Sequence, residues 1–154
     1  MYSSVTKLDT ASVAELDQLT QEVEFSYGDV RPGANAPSVV SKLGHSKWYD
    51  WSRTQKNNFK NLLQPHTEKA VVGWLLKFPE NGFLDTQDYW VDTRNAGTIV
   101  AYSLTDGNRL EVAGERIECK RGEGVRFALN QLHSVPAEKY ERNWACLMQM
   151  VPLG

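Results

Sequence analysis

Two residue types that bind metals and acids stand close together in the stretch "QLHSVPAEKYERNW", residues 131–144. His133 lies just before a proline-containing turn, and Arg142 follows nine residues later. A neutral imidazole is a good ligand for ferrous iron, and a guanidinium binds a carboxylate through two parallel hydrogen bonds. The stretch therefore indicates either a metal ligand and an acid-binding arginine on successive strands, or an ordinary hairpin with polar residues at its tip.

The segments that would position these side chains are strands, because the apolar pattern changes from residue 70 onward. "AVVGWLLKF" and "GTIVAYSL" are continuous apolar runs, typical of strands that are buried on both faces. "GEGVRFAL" and "NWACLMQMV" are two further strand-like runs. The "TDGN" stretch predicts a hairpin at Asp106-Gly107, because Asp-Gly favours the tight turn that joins paired strands.

The segments "RLEVA" and "RIECK" alternate between apolar and polar residues, with Gly114 turning the chain between them. Alternation with a period of two is typical of a strand with one buried face. The residues predicted on this inner face are Leu110, Val112, Ile117 and Cys119. Together with the longer runs, these two segments predict at least six short strands.

Two helices are predicted before the strands. In the first, Ser12 and Glu15 fit a capping box, and the helix should end near Tyr27-Gly28. The second covers roughly residues 47–63 and is stopped by Pro65. We therefore predict an α+β chain, a single domain over residues 1–154, with helices in 1–69 packed on one side of an antiparallel sandwich or barrel in 70–154.

The bulk composition excludes several classes of function. A chain of 154 residues with a net charge of −2 has no basic surface for a polyanion, so we expect no nucleic-acid partner. No apolar run is long enough for a membrane span or a signal peptide, which predicts a soluble cytoplasmic protein. Cys119 and Cys146 have no CxxC spacing and are expected to be buried thiols rather than zinc ligands.

From residue 72 to about residue 150, the order of features resembles the double-stranded β-helix core of the iron- and 2-oxoglutarate-dependent dioxygenases. "GEGVRFALNQLHSV" looks like that family's glycine turn, strand and distal metal-binding histidine, here His133. "ERNWACLMQM" looks like the next strand, with Arg142 at the position that grips the cosubstrate. The resemblance implies an α+β fold: a double-stranded β-helix (jelly-roll, cupin-like) core with two N-terminal helices packed on it.

The first metal-binding motif of that family is incomplete in this chain. Where the family has HxD, the sequence reads "YWVDT", so Asp92 matches the acid and Trp90 occupies the histidine position. Because an indole has no lone pair for a metal, the resemblance implies only two protein ligands, Asp92 and His133. Replacement of the missing ligand by Asp85 or Asp88 stays open.

The incomplete motif leads to the main hypothesis, a non-catalytic binding or assembly module that needs no cofactor. Such a module would act with a protein partner or with further copies of itself, and the run "NWACLMQMV", taken as an exposed strand edge, favours self-association. The compact size and the stretch "LLKFPENGFLDTQDYW" are also similar to small phage-encoded proteins. That likeness implies a virion component, located in the host cytoplasm or the virion.

Two other hypotheses stay open. The first is an Fe(II)/2-oxoglutarate-dependent hydroxylase acting on a small molecule or a protein side chain. Its iron would be held by Asp92, His133 and one further ligand, and its 2-oxoglutarate would reach Arg142. The second is a metal-free pocket that binds a small carboxylate through Arg142, assisted by Arg126 if that side chain also points inward.

Overall fold

The structure is a computed structural model that describes residues 2–27, 43–63, 72–87 and 95–152. This part of the chain contains two α-helices and eleven strands. In chain order the elements are β1 (Tyr2–Val5), α1 (Thr10–Glu22), β2 (Phe25–Tyr27), β3 (Gly44–Ser46), a 3₁₀ helix (Trp48–Asp50), α2 (Arg53–Leu63), β4 (Val72–Phe78), β5 (Leu84–Gln87), β6 (Asn95–Ser103), β7 (Asn108–Val112), β8 (Glu115–Cys119), β9 (Gly124–Ala128), β10 (His133–Val135) and β11 (Arg142–Pro152).

The strands form two antiparallel sheets. The large sheet has the order β1-β9-β6-β11-β4-β3-β2, and the small sheet has the order β5-β10-β7-β8. Three strands from the first 63 residues, β1, β2 and β3, extend the large sheet at its two ends. The run "NWACLMQMV" lies in β11, between β6 and β4. The prediction that this run is an exposed edge is therefore wrong, because both of its sides are hydrogen-bonded to neighbouring strands.

The large sheet separates two apolar layers. The inner layer lies between the two sheets, and the outer layer lies between the large sheet and the helices. On β11, Trp144 and Cys146 face the inner layer, whereas Ala145 and Leu147 face the outer layer. Because both faces of the strand are covered, its sequence is continuously apolar, as the sequence analysis predicted for buried strands.

The two helices pack on the outer face of the large sheet, as predicted, but α1 begins three residues before the predicted cap. Asp9 is the N-cap, and its Oδ1 accepts a 2.7 Å hydrogen bond from the backbone N–H of Ser12. The capping box predicted at Ser12 and Glu15 is therefore wrong. The helix also ends earlier than predicted, at Glu22, because the chain turns into the short strand β2.

Helix α2 begins with a reciprocal capping box that the sequence analysis did not identify. The Ser52 hydroxyl accepts a hydrogen bond from the backbone N–H of Gln55, and the Gln55 side chain accepts one from the backbone N–H of Ser52. No helix in the four described ranges is long and apolar enough to cross a membrane.

The Asp106-Gly107 turn joins the two sheets rather than two paired strands. Gly107 has a φ of 72°, so the dipeptide does turn the chain. However, β6 pairs with β9 and β11 in the large sheet, and β7 pairs with β8 and β10 in the small sheet. The predicted hairpin at this turn is therefore wrong. The next turn, Ala113-Gly114, does close a hairpin, since both residues have the positive φ of a type I′ turn.

Candidate functional site

His133 begins β10 and lines the space between the two sheets. Its side chain is buried, and its Nδ1 lies 3.0 Å from the carbonyl oxygen of Gln131. Because a carbonyl oxygen only accepts, Nδ1 carries the proton and Nε2 holds the lone pair of the neutral ring. Phe127 lies against the imidazole at a centroid distance of 5.2 Å. A ring N–H bonded to a backbone carbonyl is the arrangement that orients metal-binding histidines.

The space beside His133 is small and almost entirely apolar. Its volume is about 30 Å³, which is room for one water molecule or little more. The inner layer is therefore filled by side chains, among which two tryptophans are the largest. The residues that line the cavity are Trp74, Leu76, Leu84, Ile99, Ala101, Leu110, Phe127, His133, Val135, Trp144 and Cys146.

Trp144 is an interior residue that the sequence analysis did not single out. It is buried to 2% exposure, it lines the cavity, and its indole N–H has no hydrogen-bond partner among the described residues. A buried N–H without a partner costs about 1–3 kcal/mol. The signal that predicts its position is the alternation of β11, which places Trp144 on the same face as Arg142.

Arg142 lies on the inner face of β11 at its first residue, outside the cavity lining, and is 1% exposed. Its Nη2 donates to the carbonyl oxygens of Gly82 at 2.9 Å and Pro136 at 2.8 Å. Its Nη1 donates to those of Tyr140 at 3.1 Å and Pro79 at 3.5 Å. The side chain therefore joins the loop between β4 and β5 to the loop between β10 and β11.

The four terminal N–H groups of Arg142 are all used by these carbonyls. The remaining one, Nε–H, has no hydrogen-bond partner among the described residues. Phe78 lies under the guanidinium at 5.1 Å, and burial lowers the pKa of the Arg142 guanidinium from its usual value. In this arrangement no pair of N–H groups is open to a carboxylate, although the prediction that Arg142 binds a cosubstrate stays a prediction.

The predicted acidic ligands lie at or beyond the limits of the described residues. Asp85 belongs to β5, and Asp88, Trp90 and Asp92 lie outside the described ranges. Within those ranges, no group of three or more His, Cys, Asp or Glu side chains is placed to hold a metal ion. The assignment of Asp92 and His133 as metal ligands therefore stays a prediction, with only the position of His133 described.

Arg126 does not face the interior that Arg142 borders. Its neighbours on β9, Val125 and Phe127, both belong to the inner layer, so alternation places Arg126 on the opposite face of the sheet. Its charge acts instead on Tyr102, which belongs to the outer layer. The condition under which Arg126 would assist Arg142 is not met.

Solved structures similar to this chain share its two-sheet architecture. A prolyl hydroxylase from Trichoplax adhaerens, solved with a hypoxia inducible factor peptide fragment, matches with a TM-score of 0.66 at 11% identity, over 96% of this chain and 82% of that chain. A Pseudomonas putida prolyl-4-hydroxylase matches with a TM-score of 0.62 at 14% identity, over 99% and 93%. A predicted oxalate decarboxylase from Thermotoga maritima matches with a TM-score of 0.55 at 11% identity, over 85% and 96%.

The chain is a double-stranded β-helix. This confirms the predicted fold class, an α+β chain with a jelly-roll core and two helices packed on it. No protein-family model and no curated protein sequence matches the chain. At 11–14% identity, the likeness to oxygenases and cupin-domain proteins concerns the fold.

The interior of this double-stranded β-helix fits iron and 2-oxoglutarate unequally. The imidazole of His133 is oriented as a metal-binding histidine would be, with its N–H on the Gln131 carbonyl. A five-carbon dicarboxylate, in contrast, does not fit a cavity of about 30 Å³. The guanidinium that would bind it is held by loop carbonyls. The described residues therefore fit one metal ligand and do not fit the cosubstrate.

Proposed function

We propose that this chain is a non-catalytic binding or assembly module built on a double-stranded β-helix. The observation that carries the proposal is the Arg142 guanidinium, whose terminal N–H groups all donate to carbonyls of two loops. A carboxylate would have to replace at least two of these bonds and would leave the carbonyls buried without a donor. The filled interior also supports the proposal, because a ligand would have to displace packed side chains.

The module would act through its surface, with a protein partner or with copies of itself. The large sheet is covered on its outer face by the helices, so the surfaces open to a partner include the outer face and the edge of the small sheet. A virion component of a phage is one form of such a module. That form is favoured by the likeness of the sequence to small phage-encoded proteins.

The proposal is tested by anaerobic calorimetric titration of the purified protein, first with Mn²⁺ or Fe²⁺ and then with 2-oxoglutarate. We expect no saturable heat from 2-oxoglutarate and no succinate when the Fe²⁺ sample is exposed to air. Binding of both compounds followed by succinate release would contradict the proposal. Binding of 2-oxoglutarate without metal would instead support the carboxylate pocket.

A hydroxylase is the second candidate, and the position of His133 is the observation that favours it. The histidine lines the interior of a fold that prolyl hydroxylases also have, and its Nδ1 is held by a carbonyl as in metal sites. His133 through Nε2, together with Asp92, would hold the iron, and Arg142 would need release from its carbonyls. Bound iron with 2-oxoglutarate would supply oxygen activation for hydroxylation.

His133→Ala provides the control that identifies this second candidate. If iron is bound, the variant should lose Mn²⁺ binding and, in parallel, succinate formation, while its melting temperature stays close to that of a His133→Gln variant. Equal metal binding by the wild type and His133→Ala would show that any bound metal lies elsewhere on the chain.

A further inference from the structure

The outer strand β8 of the small sheet has a row of backbone groups that point away from its neighbour. Within the described ranges, β8 pairs only with β7, and it is the last strand of its sheet. Val112 lies opposite Glu115 on either side of the two-residue turn, and such flanking residues exchange both hydrogen bonds. By alternation, the N–H and C=O groups of Arg116 and Glu118 point to the free edge.

The free edge of β8 borders an open groove. The groove has a volume of about 310 Å³ and lies between β8 on one side and β1 and β9 of the large sheet on the other. The side chains of Ile117 and Cys119 point inward from β8, whereas those of Arg116 and Glu118 are 62% and 61% exposed. An added strand would therefore have room beside β8 and four backbone groups to bond.

The charges on the outer face of the small sheet already alternate between β7 and β8. Glu111 lies opposite Arg116, with an ion pair at 3.1 Å, and Arg109 lies opposite Glu118, with an ion pair at 3.8 Å. Cross-strand pairs of opposite charge stabilise a sheet, whereas like charges directly opposite each other destabilise it. The same rule decides which strand fits at the free edge.

We propose that β8 pairs antiparallel with β8 of a second copy of this chain, with Ile117 of both copies at the two-fold axis. In this register Arg116 lies opposite Glu118 of the second copy, and Glu118 lies opposite Arg116 of the second copy. Both pairs exchange two backbone hydrogen bonds, because these are the residues whose N–H and C=O groups point outward. The two small sheets then form one continuous eight-stranded sheet.

The charge pattern selects this register over its neighbours. A row across the joined sheet reads Arg109 and Glu118, then Arg116 and Glu111 of the second copy, so the sign alternates at every strand. Shifting the axis to Arg116 would place that residue opposite itself, and shifting it to Glu118 would do the same for the glutamate. Only the register centred on Ile117 pairs every charge with its opposite, which makes the edge self-complementary.

This pairing names a partner for the assembly module proposed above and in that sense rests on it. The two proposals fail separately, because the oligomeric state is measured without iron or 2-oxoglutarate. A dimer that releases succinate would overturn only the proposed function, and an inert monomer would overturn only the pairing.

Sedimentation equilibrium of the wild type and of two charge-reversal variants tests the pairing. At about 100 µM protein we expect a dimer that weakens as salt is raised, since the exposed pairs are screened. Arg116→Glu alone and Glu118→Arg alone should each raise the dimer dissociation constant at least about tenfold, because each places like charges opposite each other twice. Mixing the two variants should restore a dimer, since every cross-copy pair in the heterodimer is again of opposite charge.

Two further variants separate edge pairing from a general charge effect. Glu15→Lys reverses an exposed charge on α1 and should leave the dimer unchanged. Glu118→Pro removes an outward N–H without removing a bond to β7, and it should abolish the dimer while the melting temperature stays close to that of Arg116→Glu. A monomeric wild type, a dimer unaffected by Arg116→Glu, or no heterodimer on mixing would each overturn the proposal.

Discussion

Arg142 and Gly82 lie 60 residues apart in the sequence, and Nη2 of the arginine donates a 2.9 Å hydrogen bond to the glycine carbonyl. The same guanidinium also bonds to the carbonyls of Pro79, Pro136 and Tyr140. A single buried cation thereby holds two loops at one rim of the double-stranded β-helix. This arrangement gives Arg142 a structural role whose size can be measured.

Replacing Arg142 by Ala should lower the free energy of unfolding by about 3–5 kcal/mol. The physical reason is that buried carbonyls of both loops lose their donors when the charged group is removed. Urea unfolding followed by tryptophan fluorescence measures the effect. Arg109→Ala is the matched control, because that arginine is 40% exposed and its ion pairs should contribute about 1 kcal/mol or less. Wild-type stability in the Arg142 variant would contradict the structural role.

Stability should fall above pH 9 in a way that depends on Cys119. Burial, helped by the charges of Glu123 and Glu118, raises the pKa of the Cys119 thiol from 9.0 to about 11. Between these values the unfolded thiol loses its proton while the folded thiol keeps it, so the free energy of unfolding decreases as pH rises. Below pH 9 this contribution is fully present, and above about pH 11 up to about 3 kcal/mol has been lost.

The Cys119→Ala variant isolates this contribution. Urea unfolding of the wild type and the variant between pH 8 and pH 11 should show a steeper decline for the wild type. Lysines and tyrosines titrate in both proteins, so the difference between the two curves reports the thiol. Parallel curves would mean that Cys119 titrates as an exposed cysteine does.

Gly73→Ala should destabilise the contact between β4 and α2 by about 1–3 kcal/mol. A Cβ atom at this position would overlap the ring of Phe59, which is fully buried, and would lie 2.9 Å from the Trp48 ring. Thermal melting of the single variants and of Gly73→Ala combined with Phe59→Leu measures the coupling. The double variant should be more stable than the sum of the single losses predicts. Strict additivity would show that the overlap is relieved in another way.

Arg121→Ala should lower the free energy of unfolding by about 1–2 kcal/mol. Its Nη2 bonds to Asp17 of α1 at 2.5 Å, and its Nη1 bonds to the carbonyl of Leu104 at 2.7 Å, so the side chain holds the helix to the sheet. A double-mutant cycle with Asp17→Asn should assign less than about 1 kcal/mol to the ion pair, because both side chains are more than a third exposed. A larger coupling would place the main effect in the pair rather than in the bond to Leu104.

The strands predicted from alternation were confirmed because their pattern reports burial directly. Leu110, Val112, Ile117 and Cys119, predicted on one inner face, are all buried in the layer between the sheets. The hairpin predicted at Asp106-Gly107 was wrong for a physical reason. The dipeptide determines the local turn, but the pairing of the flanking strands is decided by distant partners.

The rest of the fold and site depends on contacts that no local pattern contains. The strands β2, β3 and β10 have three residues each, too few for a period to be recognised. The sequence placed Arg142 correctly at the start of a strand. However, its carbonyl partners belong to loops up to 63 residues away, so their bonds to the guanidinium could not be foreseen.

The central position of β11 has a consequence for the order of events during synthesis. This strand is made after the ten other described strands, yet it joins β4 to β6. Until it leaves the ribosome, the two halves of the large sheet have no shared neighbour, and the facing edges of β4 and β6 are exposed to water. Closure of long sequence separations is slow, so the nascent chain should depend on chaperones that shield those edges.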